Sequence, residues 1–536
     1  MRSIAVPVIV PPPTGMRVRT RLRVDDQDAV ILRAVGEHLG RLAGIDLAAR
    51  CRLGQAGDQR TNRKRALTAA SSSRWAGAIT RTSGDQWARA WRNLLDARTS
   101  LRRAIRTIDQ RLAVPVGSRQ GRVRGYSSRR ERWGKERRRQ ILAARLTRVE
   151  HRIQQGRVSV TRGGRQLAKT RQHLQQAGLT QSEWQARWRA ARWFICSDGE
   201  ADKPWGNETI RVHPDEGWLE LKLPAPLGHH SNRPRGRWRL SCPVRFAHRS
   251  QEWAAQVTSG AVRYDIIFDP IKKRWYLHAS WTRPQVRSLP VHAATVRGVV
   301  AVDLNAGHLA CWVVDRHGNP VRTPHTIPLD LDGMPAPTRD GRVRAAISQV
   351  LDLASIAGCR AIAIENLDFT HARQVGRETM GRGQRGRRFR RTVAGIPIAQ
   401  FRARLVQMAT NRGLLVVAVD PGWTSVWGGR YWQEPLQQRF PKRKVTRHHA
   451  ASVVVGRRAL GLVARRRPGT LAPDRRIKDA SNCRPDQLAA SVRRGHGTPA
   501  RNPPWRQRSA VQDQTWQMEP GSAQVTQDRS APPVSD

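Results

Sequence analysis

Two acidic residues in this chain stand where an apolar run ends. Gly298-Val299-Val300-Ala301-Val302 leads into Asp303, and Ala361-Ile362-Ala363-Ile364 leads into Glu365. Short apolar runs of this kind predict buried strands. Neighbouring parallel strands bring their C-terminal ends to one edge of a sheet, where ligands collect. Two carboxylates at such an edge repel one another unless cations neutralise them. Two divalent ions about 3.5–4 Å apart would stabilise the attacking and leaving oxygens of phosphodiester hydrolysis. One Asp after a strand also serves as a turn cap, so the pair is the more specific signal.

The flanking sequence predicts the elements that position the pair. Leu309 to Val314 reads as a second strand, Asp315-Arg316-His317-Gly318-Asn319 as a turn, and Pro320-Val321 as its continuation. A helix-like stretch from Arg339 to Ala357 crosses to the strand ending at Glu365. This order of elements resembles the opening meander and crossover of an RNase H-type α/β domain. His371 to Arg391 then holds Arg373, Arg377, Arg382, Arg385, Arg387, Arg388, Arg390 and Arg391 among Gly376, Gly381, Gly383 and Gly386. A Gly-rich basic loop beside a carboxylate pair predicts a phosphate clamp, against the plainer reading of a solvated charge run.

The rest of the chain is read from charge and periodicity. Lys+Arg number 97 and Asp+Glu 41, so the formal net charge is +56. Such imbalance destabilises a compact fold by self-repulsion, and a polyanionic partner relieves it. Composition thus favours nucleic acid over a membrane surface or an acidic protein. No apolar run reaches the roughly 18 residues a membrane span needs, and no membrane association is expected. The six cysteines are scattered without a CxxC pair, so no zinc site or disulfide framework is expected. A reduced cytoplasm is the expected setting, at the nucleoid when DNA is bound.

Met16 to Val24 alternates apolar residues with Arg17, Arg19, Arg21 and Arg23, a half-buried strand with a basic face. Arg17, Arg19 and Arg21 are candidates for nucleic-acid binding. Asp25 and Asp26 supply helix-start chemistry. Residues 62–192 read as basic helices, with Ser83-Gly84-Asp85-Gln86 as a capping box. Trp87, Trp91, Leu94, Leu101, Ile105, Ile108 and Leu112 follow as an apolar stripe, and Trp184, Trp188 and Trp193 form another. Stripes of this kind are helix-packing cores before they are base-stacking platforms. Val262–Phe268 and Arg274–Ala279 flank Asp269-Pro270 as a hairpin.

The expected fold class is multidomain α+β. A β-rich wedge domain has its first strand and helix in residues 1–60 and its body in 196–295. A helical recognition insertion occupies 61–195, a RuvC-like α/β domain 296–467, and a disordered basic tail 468–536.

Three segments carry a family resemblance. They are Val299–Asn305 with its hairpin, Ala361-Ile362-Ala363-Ile364-Glu365-Asn366-Leu367-Asp368-Phe369, and Val417-Ala418-Val419-Asp420-Pro421-Gly422-Trp423-Thr424-Ser425. They resemble the RuvC motifs of transposon-encoded TnpB proteins. The same motifs occur in the compact type V CRISPR effectors descended from TnpB, and the match spans about Val299 to Gly461. The resemblance implies a bound guide RNA, a guide–target DNA heteroduplex, a short flanking DNA motif, and RuvC cleavage with Mg²⁺.

Two departures bear on chemistry. The family's zinc ribbon follows the VDPxxTS segment; here residues 423–445 carry no cysteine, so a degenerate ribbon packed by Trp427 and Trp432 is expected, without zinc. The family's third acid opens the last RuvC helix; here that place reads Thr446-Arg447-His448-His449-Ala450-Ala451. Either His448 or His449 stands as the third metal ligand beside Asp303 and Glu365, with Mn²⁺ accepting imidazole more readily than Mg²⁺, or the third ligand is lost. The first alternative gives an RNA-guided, metal-dependent DNA endonuclease. The second gives an RNA-guided DNA-binding protein that silences by occupancy. A DNA-only transposase or resolvase is a third reading.

Overall fold

The computed structural model describes residues 4–55, 57–121, 123–284, 289–367 and 398–464. The basic loop 371–391, with all eight of its arginines, and the tail after Pro468 lie outside the described residues. The chain divides into two units. The first holds described residues 4–15, 99–146 and 282–464, and the second holds 16–98 and 147–281.

The first unit is built on a six-stranded mixed sheet. Its strands are β1 (Val8–Ile9), β11 (Val299–Leu304), β12 (His308–Val314), β13 (Pro320–Pro328), β14 (Ala361–Glu365) and β15 (Leu415–Val419), in the order β1-β15-β14-β11-β12-β13. β11, β12 and β13 form the predicted antiparallel meander. β14 and β15 then add parallel to β11 on its other side. Both faces are covered, which is why these strands read as near-continuous apolar runs. Val300, Val302, Ile362, Ile364 and Val416 pack with residues of the helices Ala336–Ala357 and Ile398–Asn411. Val299, Ala301, Ala361, Ala363, Val417 and Val419 pack with Val455 and Ala459 of the helix Arg447–Ala459. That helix lies close on the sheet because Gly456 has no side chain: a Cβ there would stand 2.6 Å from Val314.

β1 has no counterpart in the sequence reading. β1 pairs antiparallel with β15, matching Val8 to Ala418 and Ile9 to Val417. Two residues framed by prolines are too few to show a period. This unit also contains a short ribbon of β3 (Arg119–Gln120) and β4 (Val123–Arg124).

The second unit has a four-stranded sheet in the order β2-β10-β9-β5, from β2 (Gly15–Leu22), β5 (Cys196–Ser197), β9 (Arg263–Asp269) and β10 (Arg274–Thr282). The early strand therefore joins the later hairpin, with helices between them in sequence. A second sheet of β6 (Ile210–Val212), β7 (Leu219–Lys222) and β8 (Arg237–Arg239) shares the core of the first. Asp25 caps the helix Asp26–Leu53, its Oδ1 accepting from the Asp28 N–H at 2.7 Å. One expectation is corrected. Ser83–Gln86 is not a cap but lies inside the 40-residue helix Ser73–Leu112. The S-x-x-Q pattern there is outweighed by the apolar stripe running through it, and Ser83 is buried.

Candidate nucleic-acid site at the carboxylate edge

β11 and β14 run parallel with Val302 opposite Ile364, so Asp303 and Glu365 follow at the same level. By strand alternation both belong to the face that carries Ala301 and Ala363, the face covered by the helix 447–459. β15 ends one residue before Asp420. The sheet thus collects the C-terminal ends of three parallel strands at one edge.

The helix 447–459 sends its first turn to this edge. Thr446 caps it, and Thr446 and His449 form a reciprocal capping pair. His448 brings its Nδ1 to 2.9 Å from Asp303 Oδ2. The same carboxylate oxygen accepts from Asn305 Nδ2 at 3.0 Å. The edge of the His308 ring lies against His448, 5.3 Å between centroids.

His449 has a different task. The Thr446 N–H donates to its Nδ1 at 3.2 Å, and its Nε2 lies 2.9 Å from Thr326 Oγ1. An acceptor Nδ1 fixes the neutral tautomer with the proton on Nε2, which then donates to Thr326. Burial pushes its pKa down to about 4. Both ring nitrogens are engaged, so of the two candidate histidines it is His448 that faces Asp303.

Glu365 accepts a hydrogen bond at Oε1 from the Thr424 hydroxyl. Burial pushes its carboxyl up to about 8, and the charge of Asp303 adds to the rise, while Thr424 and Arg458 oppose it. The buried Arg458 donates from Nη2 to the Gly422 carbonyl at 2.6 Å and from Nη1 to the Asp420 carbonyl at 2.5 Å, and stands over the Trp427 ring at 5.0 Å. Asp420 accepts from the Gly422 N–H at 2.8 Å and from the Ala5 N–H at 3.1 Å. Sequence reasoning did not single out Thr424 or Arg458. Thr424 lies within the VDPGWTS motif, which was a usable signal. Arg458 gave none beyond its place among apolar neighbours.

Among the described residues no group of three or more His, Cys, Asp or Glu side chains could hold a metal. Asp303 Oδ2 is taken by His448 and Asn305, and Glu365 Oε1 by Thr424. His448, in the first turn of the last helix, bonds to Asp303.

The other predicted groups are placed as follows. In the second unit, Arg17 is half-buried and donates to Asp265 at 3.4 Å, and Arg19 lies over the Tyr276 ring at 3.5 Å. Arg21 is exposed. Arg17 is therefore largely committed within the protein, while Arg21 is open to a partner. In the first unit, the segment expected as a degenerate ribbon forms two short helices, Thr424–Tyr431 and Gln433–Arg439. Trp432 is buried with Trp312, Leu436 and Val445, and Trp427 packs against that cluster.

No protein-family model matches the chain, and no curated protein does. Among solved structures it is similar to a T. thermophilus RuvC in complex with Holliday junction substrate, with 16% identity over 30% of this chain and 90% of that one and a TM-score of 0.20. A Cas12f1–sgRNA–target DNA complex matches with 11% identity, 49% and 66% coverage, and a TM-score of 0.21. A CRISPR–Cas12f ternary complex matches with 10% identity, 82% and 98% coverage, and a TM-score of 0.19. The functional reading rests on the residues of this chain.

Proposed function

We propose that this chain is an RNA-guided DNA-targeting effector with a RuvC-like domain. Base pairing by a guide RNA reads the target, and the protein supplies cationic surface and the sheet edge that meets the DNA. The observation that carries this reading is the shared face of Asp303 and Glu365, at matched ends of adjacent parallel strands, inside the motifs that resemble TnpB. The net charge of +56 supports a polyanionic partner throughout the chain.

The effector cuts its target with the carboxylate edge or silences it by occupancy. A RuvC-type endonuclease would use Mg²⁺ or Mn²⁺ at Asp303 and Glu365 to activate water and stabilise the leaving oxygen. The His448–Asp303 bond engages one oxygen of that carboxylate. Binding with little or no cleavage is the alternative form of the same reading.

Expression with native flanking DNA and sequencing of the co-purified RNA tests guidance. One discrete RNA with a fixed scaffold and a variable end supports it; heterogeneous RNA, or none, overturns it in favour of a DNA-only protein. Matched target DNA then separates the two forms. Binding without product, unchanged in Asp303→Ala, supports occupancy. Cleavage abolished by Asp303→Ala establishes the endonuclease.

A further inference from the structure

We propose that Trp423 is a stacking platform for an unpaired nucleobase of the strand that meets the carboxylate edge. The inference deepens the reading above and rests on this edge being where nucleic acid lies.

Trp423 is placed by its neighbours. It lies three residues after Asp420 and directly before Thr424, whose hydroxyl holds Glu365. Its backbone is left-handed, φ 58° and ψ 16°. That region disfavours a residue with a Cβ, and a bulky one most. Asn or Gly would occupy it at lower cost. No side-chain cap compensates, because Trp423 is the N-cap of the helix Thr424–Tyr431 and makes no capping hydrogen bond.

The indole gains little from the fold in return. It is only partly buried and belongs to none of the hydrophobic clusters formed by the described residues of its unit. Its ring stacks on Trp427, at 6.2 Å and 25° between planes. Trp427 is held in turn by the core and by Arg458. A large, partly exposed ring is thus backed by an anchored ring, on a strained backbone, in the segment between Asp420 and Thr424. Strain of this kind clusters at functional sites. A flat aromatic face next to a phosphate-handling edge suits a nucleobase, and stacking tolerates any base because every base has a π-face.

The test uses the full-length protein and two labelled oligonucleotides of equal length, oligo(dT) and its abasic counterpart. Trp423→Ala is expected to weaken oligo(dT) binding roughly tenfold, to leave abasic binding unchanged, and to preserve the salt slope. Trp423→Tyr should restore most of the loss. Trp423→Asn, which suits the left-handed backbone, should keep the thermal midpoint while losing the base-dependent affinity; it serves if the Ala variant folds poorly. Equal effects on both oligonucleotides, or no effect on either, overturns the platform. Those results leave guidance standing, because guidance is read from the co-purified RNA.

Discussion

Two helices of this chain treat their arginines in opposite ways. In Arg447–Ala459 every residue from His449 onward is buried, Arg457 and Arg458 included. Arg457 donates to the Gly318 and Val463 carbonyls, each at 2.7 Å, and Arg458 to those of Asp420 and Gly422. In Arg129–Gln154 no residue is buried. It carries ten Lys and Arg against three Glu, and Trp133 and Ile141 stand exposed at 62% and 61%. The same residue type is a structural tie in one helix and solvent-facing charge in the other. Interior arginines act through carbonyls whose positions are fixed, whereas exposed ones retain their charge for a polyanion.

The largest expected effect breaks the interior case. Arg458→Ala takes the guanidinium donors from two carbonyls and should cost about 1.5–3 kcal/mol in denaturant unfolding. A loss no greater than that of an exposed arginine would erase the distinction.

His278, buried in the second unit, extends it to pH. Burial, then the charge of Arg17, lowers its pKa to about 3. The unfolded chain takes up this proton near the ordinary histidine pKa of about 6.5 and the folded one does not, so stability is unaffected above that value and is lost as pH falls toward 3. The slope should be about 1.4 kcal/mol per pH unit. His278→Leu should flatten it in unfolding measured between about pH 4 and 7, a range set by the reference pKa of histidine.

Thr446→Ala removes the cap that sets His449 and directs the first turn toward Asp303. A loss of about 1 kcal/mol is expected, read from the thermal midpoint. The smallest effect on stability belongs to the exposed helix. Replacing Arg130, Arg137, Arg145 and Arg148 by Ala should change stability by no more than about 0.5 kcal/mol each. It should nonetheless reduce the salt dependence of nucleic-acid binding, by roughly 0.7–0.9 in slope for each phosphate no longer neutralised. An unchanged slope would remove this helix from the binding surface.

Much of the sheet was legible because its strands are buried on both faces and so leave long apolar runs. Asp303 and Glu365 were legible because each ends such a run. The choice between His448 and His449 was not, since adjacent residues on a helix differ by about 100° and only the packed sheet shows which one meets Asp303. Arg458 was hidden because a buried arginine and an exposed one look alike in sequence. The Ser83–Gln86 expectation failed because a four-residue pattern cannot reveal that the helix has already begun.

The pairing of β1 with β15 sets an order of assembly. Val8 waits for Ala418, and the Ala5 N–H for Asp420, a separation of 415 residues. During synthesis that border of the sheet stays open until nearly the whole described chain has emerged. Pairings so distant in sequence close late, so completion of this border is expected among the last steps of folding, and until then β15 exposes an unpaired edge to which other chains can add.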